Sequence, residues 1–173
     1  GSTEVGKAFL EYSAHSNMKR IGLECGGKSP HIVTRDVEDL DTIAMSVAYG
    51  VWYNQGETCH AGTRLIVDRA VKEAREEIFG PVLVVITVDD LDEALTIAND
   101  TDYGLGAAIW TDRLRDGHRA ARALRAGTVW VNCYDHTSIN APFGGYKQSG
   151  QGRDKSLHAF DKYTELKTTW IEI

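Results

Sequence analysis

The chain has 173 residues, with 19 Lys+Arg against 25 Asp+Glu and a formal net charge of -6. That length suits one compact domain able to bury roughly 70% of its unfolded surface, and 42% hydrophobic with 25% charged residues is a globular composition, not a disordered one. The acidic balance argues against a general nucleic-acid binder, and three cysteines without a framework argue against a disulfide-stapled secreted domain. No apolar run reaches ~18 residues, so no transmembrane helix is expected. The start, Gly1-Ser2-Thr3-Glu4, shows neither a basic n-region nor an apolar h-region, and a cytoplasmic location is the expectation. It also lacks an initiator Met, so the chain reads as a fragment or a processed product.

Strand and helix signals alternate along the chain. Lys19 to Cys25 and His31 to Thr34 read as short strands. Asp39 to Asn54 reads as a helix, with Leu40, Ile43, Ala44, Val47, Ala48, Val51 and Trp52 at helical spacing. Leu65 to Val67 is a buried-strand run, and Pro81 opens another over Val82 to Val88. Asp89 or Asp90 can cap a helix through about Ala98. Asn99 to Gly104 is a turn cluster. Ala107 to Trp110 is a strand, Asp112 caps a helix to about Arg125 with Gly127 as its stop, and Thr128 to Asn132 is a strand again. This alternation predicts an α/β fold with a parallel sheet.

Two loops stand out. Gly144 to Gly152 holds four glycines in nine residues. Such a loop can pack closely against a ligand or another chain, although composition alone favours a flexible connector. Asn54 to Gly62 follows a helix, precedes a strand and carries Cys59. A loop cysteine can be reactive when charge and backbone amides act on it, yet a lone cysteine is more often buried and inert. His60, His136 and His158 form no metal pattern with the cysteines, so no zinc site is expected. Arg113, Arg115, Arg119, Arg122 and Arg125 read as a solvated helix face.

Four stretches occur together, in this order. They are Leu23-Glu24-Cys25-Gly26-Gly27-Lys28-Ser29-Pro30, Gln55-Gly56-Glu57-Thr58-Cys59-His60-Ala61-Gly62-Thr63-Arg64, Glu76-Glu77-Ile78-Phe79-Gly80-Pro81-Val82 and Pro142-Phe143-Gly144-Gly145-Tyr146-Lys147-Gln148-Ser149-Gly150. The set strongly resembles the aldehyde dehydrogenase superfamily, and Gly1 to Gly6 is similar to a nucleotide-contacting helix start of that family. The tail from Pro142 most resembles the branch acting on γ-glutamylamino- and amino-butyraldehydes.

The resemblance implies oxidation of a small aldehyde to a carboxylic acid with NAD or NADP. It matches Cys59 to the nucleophile that forms a thiohemiacetal and then a thioester. Glu24 matches the base that activates the hydrolytic water. Ser2, at a helix start, matches a phosphate contact. Glu77 matches a contact to the nicotinamide ribose, and Phe79 the ring packed near the nicotinamide. Tyr53 and Phe143 match positions lining the aldehyde tunnel. Cys25 stands where the family usually has an aliphatic residue, and Cys25 and Cys133 read as bystanders.

The family pattern is longer than this chain. Residues 1–26 correspond to a remnant of the cofactor-binding domain, 27–160 to the catalytic domain and 161–173 to a C-terminal strand used for homo-oligomer assembly. The helix and strand that family members carry after Val67-Asp68-Arg69-Ala70-Val71-Lys72-Glu73 have no counterpart, which places an internal deletion near 73–74. Two alternatives follow from so short a chain: a Cys59/Glu24 esterase that needs no cofactor, or a non-enzymatic assembly remnant.

Overall fold

The computed structural model describes residues 1–69 and 83–173. The expected strand start at Pro81 and Val82, the join near 73–74, and Glu77 and Phe79 lie outside the described residues. The chain opens with α1 (Thr3–Ala14), then β1 (Leu23–Glu24), β2 (Pro30–Val33), α2 (Leu40–Trp52) and β3 (Arg64–Asp68). After residue 82 come β4 (Val84–Val88), α3 (Leu91–Asn99), β5 (Tyr103–Gly104), β6 (Gly106–Trp110), α4 (Leu114–Ala123), β7 (Thr128–Val131), β8 (Tyr146–Lys147) and β9 (Gly150–Gln151).

Five strands form one parallel sheet in the order β4-β3-β2-β6-β7. Every residue of β2 and β6 is buried, as a sheet covered on both faces requires. On one face, α3 and α4 bring Leu95, Ala98, Ala120 and Leu124 against Ile32, Ile66 and Ile109. On the other, α2 lays Val47 and Val51 on Val33, Leu65, Val67 and Trp110, with Trp130 and Tyr134 closing the layer. The expected α/β parallel-sheet architecture is thus the observed one.

The helix ends are set by polar contacts, several of them local. Asp39 accepts from the Thr42 amide at 3.0 Å and Asp90 from the Glu93 amide at 2.9 Å, each satisfying a free N–H of the first turn. Asp112 does not cap α4. Its carboxylate instead accepts from the Glu38 amide, and the distant Asp36 takes the Asp112 and Arg113 amides at 2.8 and 3.0 Å. A cap supplied across the sheet leaves no local sequence signal. The same helix ends at Ala123 with Leu124 already extended, before the expected stop at Gly127.

The tail differs from expectation. Residues 164–173 adopt no strand, and Leu166, Trp170, Ile171 and Ile173 are exposed. A strand needs a paired edge, and among the described residues of a single chain none is paired with this segment. No helix among the described residues is long and apolar enough to cross a membrane.

Candidate active site

Glu24 is placed by a brace. Its strand β1 pairs antiparallel with β9, with Glu24 opposite Gly150. The Cys25 amide donates to the Ser149 carbonyl at 2.8 Å. Ser149 is wholly buried, accepts from the Gly104 amide at 3.0 Å and donates to the Gly26 carbonyl at 2.8 Å. Gly150 has φ +129°, and a Cβ there would sit 2.1 Å from the Leu23 carbonyl oxygen. The glycine-rich stretch is therefore a rigid support for β1 and not the flexible connector its composition suggests. It supplies β8 to β5 and β9 to β1.

Cys59 is placed by a strained turn. After α2, Asn54 and Gln55 take left-handed φ of 51° and 64°, followed by Gly56 at 77°. Two consecutive non-glycine residues in that region are costly. This backbone is why α2 stops at Trp52, two residues before the expected Asn54. The loop is then fixed by the Gly62 amide on the Gly50 carbonyl at 3.1 Å. A Cβ on Gly62 would lie 1.9 Å from Nε2 of His31. His31 is fully buried, its Nδ1 accepts from the Trp110 indole at 3.3 Å, and its ring packs 4.2 Å from Tyr134. Burial pushes its pKa down to about 3, so it is a neutral core residue.

These two arms bring Glu24 and Cys59 together. Burial pushes the Cys59 thiol up to about 11, and the negative charge of nearby Glu24 adds to the rise. The backbone amides of Cys59 and His60 act in the opposite sense. Oε1 of Glu24 is buried and has no hydrogen-bond partner among the described residues. A buried carboxylate oxygen with a free lone pair is suited to accept a proton from a water or a thiol.

Further groups surround the thiol. His60 Nδ1 lies 3.7 Å from Cys59 Sγ, and its Nε2 is 2.9 Å from Asp135 Oδ1. The Tyr134 hydroxyl donates to the His60 carbonyl. Phe143 meets the His60 ring edge-on at 6.0 Å. Tyr53 is exposed and packs on Tyr49 at 5.1 Å, with no contact to Cys59 among those described.

Ser2 caps α1, its hydroxyl accepting from the Val5 amide at 3.3 Å. The N-terminus of α1 lies beside β1, since the Gly1 ammonium donates to the Glu24 carbonyl at 2.7 Å. A cavity of about 360 Å³ joins the two, lined by Ser2, Val5, Gly6, Phe9, Leu23 and Glu24. A larger cleft of about 960 Å³, between α1 and residues 161–166, includes none of the catalytic candidates.

The His60–Asp135 pair was not expected from sequence. His60 adjoins Cys59 in the chain, but Asp135 comes from the loop after β7, 75 residues away. Only the fold brings that carboxylate back to the imidazole.

A three-layer α/β domain thus brings a cysteine and a glutamate close together, beside a helix N-terminus. The aldehyde dehydrogenase family model matches residues 1–75 and 69–169, and the chain belongs to that family. It is similar to aminoacetaldehyde dehydrogenase of Pseudomonas aeruginosa, 39% identical over 99% of this chain and 50% of that protein. It is also similar to the NADP/NAD-dependent aldehyde dehydrogenase PuuC of Escherichia coli, 38% identical over 100% and 50%. An indole-3-acetaldehyde dehydrogenase of P. syringae, solved with NAD+ and IAA, superposes with a TM-score of 0.93 at 41% identity, covering 100% of this chain and 51% of that one. The chain spans about half the length of the curated relatives it matches. Both alignments extend over 250 positions against 173 residues here, so the relatives carry internal residues without counterpart in this chain. The two segments of the family match overlap at residues 69–75.

Proposed function

We propose that the chain is the catalytic portion of an enzyme that oxidises an aldehyde, with an amino-aldehyde as substrate, to the carboxylic acid. The observation that carries this reading is the convergence of Glu24 and Cys59 from two separately braced segments in a chain of this family. In this reading the Cys59 thiolate adds to the aldehyde carbonyl carbon and forms a thiohemiacetal. A bound NAD or NADP would accept the hydride whose loss leaves a thioester. Glu24 takes a proton from water, the resulting hydroxide attacks the thioester carbonyl, and the acid leaves as Cys59 is restored. The free Oε1 of Glu24 is the atom suited to that proton.

The residues present fit one end of the dinucleotide. The α1 N-terminus offers backbone amides and a positive dipole end to a phosphate, and a cavity runs from Ser2 to Glu24. Glu77 and Phe79 are assigned the ribose and nicotinamide contacts on the family match alone. Phe143 borders the aldehyde on the His60 side, and Tyr53 is assigned to the same tunnel by that match. Residues 1–26 then act as the cofactor side, 27–160 as the catalytic body, and the exposed apolar residues of 161–173 as an assembly surface for a second copy. The amino-aldehyde assignment rests on the likeness to the P. aeruginosa relative.

The test is nicotinamide reduction by the purified chain with an amino-aldehyde, followed by absorbance, with Cys59→Ala as control. Reduction by the parent and none by the variant is expected. Equal rates in both would remove Cys59 from the reaction.

A further inference from the structure

We propose that His60, oriented by Asp135, is the catalytic residue that takes the proton from the Cys59 thiol. The assignment deepens the reading of Cys59 as nucleophile and rests on it for its catalytic consequence. Geometry carries it. One imidazole nitrogen, Nε2, is 2.9 Å from the Asp135 carboxylate, and the other, Nδ1, is 3.7 Å from Cys59 Sγ. A carboxylate can only accept, so Nε2 must carry the hydrogen. In a neutral imidazole that leaves the Nδ1 lone pair facing the thiol. The tautomer is thus set by Asp135, which comes from a different part of the chain, and its effect on the sulfur passes through His60.

The proton movement is simple. The S–H bond breaks, its electron pair stays on sulfur, and Nδ1–H forms, giving a thiolate beside an imidazolium. The Asp135 carboxylate then faces the positive ring directly. Both partners of the ion pair are largely shielded, with His60 17% and Asp135 25% exposed at the side chain, which keeps their attraction from being fully screened.

The alternative acceptor is Glu24, and the two can be told apart by sign. A carboxylate beside the sulfur disfavours the thiolate, and burial does the same. A thiol so placed is inert at neutral pH unless a base abuts it. His60 supplies a base at 3.7 Å, and Glu24, whose side chain also hydrogen-bonds the thiol, is the rival acceptor that the experiment separates. The other groups facing His60 do not substitute for it. Tyr134 is held neutral, its phenol raised by burial, and it donates to the His60 carbonyl. Lys155 lies over Phe143, its Nζ 5.6 Å from that ring, and is a cation that cannot accept a proton.

The experiment is the rate of iodoacetamide alkylation at Cys59 as a function of pH, read peptide by peptide by mass spectrometry, without aldehyde or nicotinamide. It therefore reports thiolate formation even if the dehydrogenase reading fails. At pH 7.5, His60→Gln is expected to slow Cys59 alkylation at least tenfold and to move its pH profile toward unassisted thiol ionisation. Asp135→Asn should slow it by a smaller factor, and Glu24→Gln should leave it unchanged or quicken it. Protection of the buried Cys25 in the same digest reports that each variant is folded; a variant that loses it is replaced by His60→Asn. Equal Cys59 rates in the parent and both His60 and Asp135 variants would overturn the proposal. Slowing by Glu24→Gln alone would overturn it as well and make the carboxylate the base.

Discussion

Glu24 and Cys59 arrive at one point by opposite means. Glu24 sits on a two-residue strand that has almost no structure of its own. Its position is dictated from outside, by β9, by the Cys25 amide on Ser149, and by a buried hydroxyl that ties residues 26, 104 and 149 together. Cys59 sits on a loop that carries its own instruction: a left-handed turn at residues 54–56, followed by a close approach of Gly62 to His31. The first arm is long-range, and the residues of β1 and β9 other than Gly150 keep ordinary backbone. The second is local and strained. In the proposed reading, a base that must meet a water can be held by a scaffold, whereas a nucleophile delivered by a turn is fixed within a few residues of its own helix.

The largest expected effects come from the two glycines that let the arms close. Gly150→Ala places a methyl about 2 Å from the Leu23 carbonyl in a left-handed backbone, and should destabilise by about 3 kcal/mol or more. Gly62→Ala drives a methyl into the buried His31 ring and should cost a similar amount. The comparison is sharpened by where the damage appears. Gly150→Ala should free Glu24 while leaving Cys59 alkylation near the parent rate under folding conditions. Gly62→Ala should alter alkylation first. Thermal melts give the stability, and the alkylation assay gives the location; the same pattern from both variants would erase the distinction between the arms.

Ser149→Ala comes next. It removes the acceptor of a buried amide, Gly104 N–H, and a donor to the Gly26 carbonyl. An amide left unsatisfied in the core costs about 1–3 kcal/mol, so a melt lowered by several degrees is expected. An unchanged melt would mean that the brace does not depend on this hydroxyl.

The Cys59 arm contains a buried histidine support, His31. Its pKa is about 3 in the folded chain against an ordinary 6.5. Above pH 6.5 both folded and unfolded chains hold it neutral. As pH falls below 6.5 the unfolded chain binds a proton that the folded chain does not, and stability declines by up to about 1.4 kcal/mol per pH unit toward pH 3. His31→Asn keeps an acceptor for the Trp110 indole and should flatten that decline between pH 6.5 and 4 in denaturant titrations. A decline just as steep in the variant would assign the acid sensitivity elsewhere.

What the sequence disclosed follows the same division. The sheet, α2 and α3 are legible because their signals are local: apolar periodicity, Asp39 and Asp90 as caps, and short apolar runs such as Leu65 to Val67. Cys59 and Glu24 are legible only as members of a family pattern, since each alone reads as an ordinary residue. The α4 cap from Asp36, the Ser149 tie and the Asp135 contact are not legible, because each joins residues more than forty positions apart. The tail reads as a strand through the family resemblance, but a resemblance does not supply an edge to pair with.

The smallest expected effect tests the strain itself. Gln55 holds φ of 64° between Asn54 at 51° and Gly56 at 77°. Asn tolerates this region and glycine is indifferent to it, but an ordinary side chain such as Gln loses roughly 1–2 kcal/mol there. Gln55→Gly relieves that loss. It also adds freedom to the unfolded chain, which removes about 0.4–1 kcal/mol of stability. The side chain is exposed, so no burial is given up. The difference predicts a gain of about 0.5 kcal/mol and a melt raised by a degree or two. The corresponding change in the relaxed arm has no such strain to release: Gln151→Gly, on β9, should only destabilise. A stabilising Gln151→Gly beside a destabilising Gln55→Gly would reverse the assignment of strain to the Cys59 turn and of relaxation to the strand that holds Glu24.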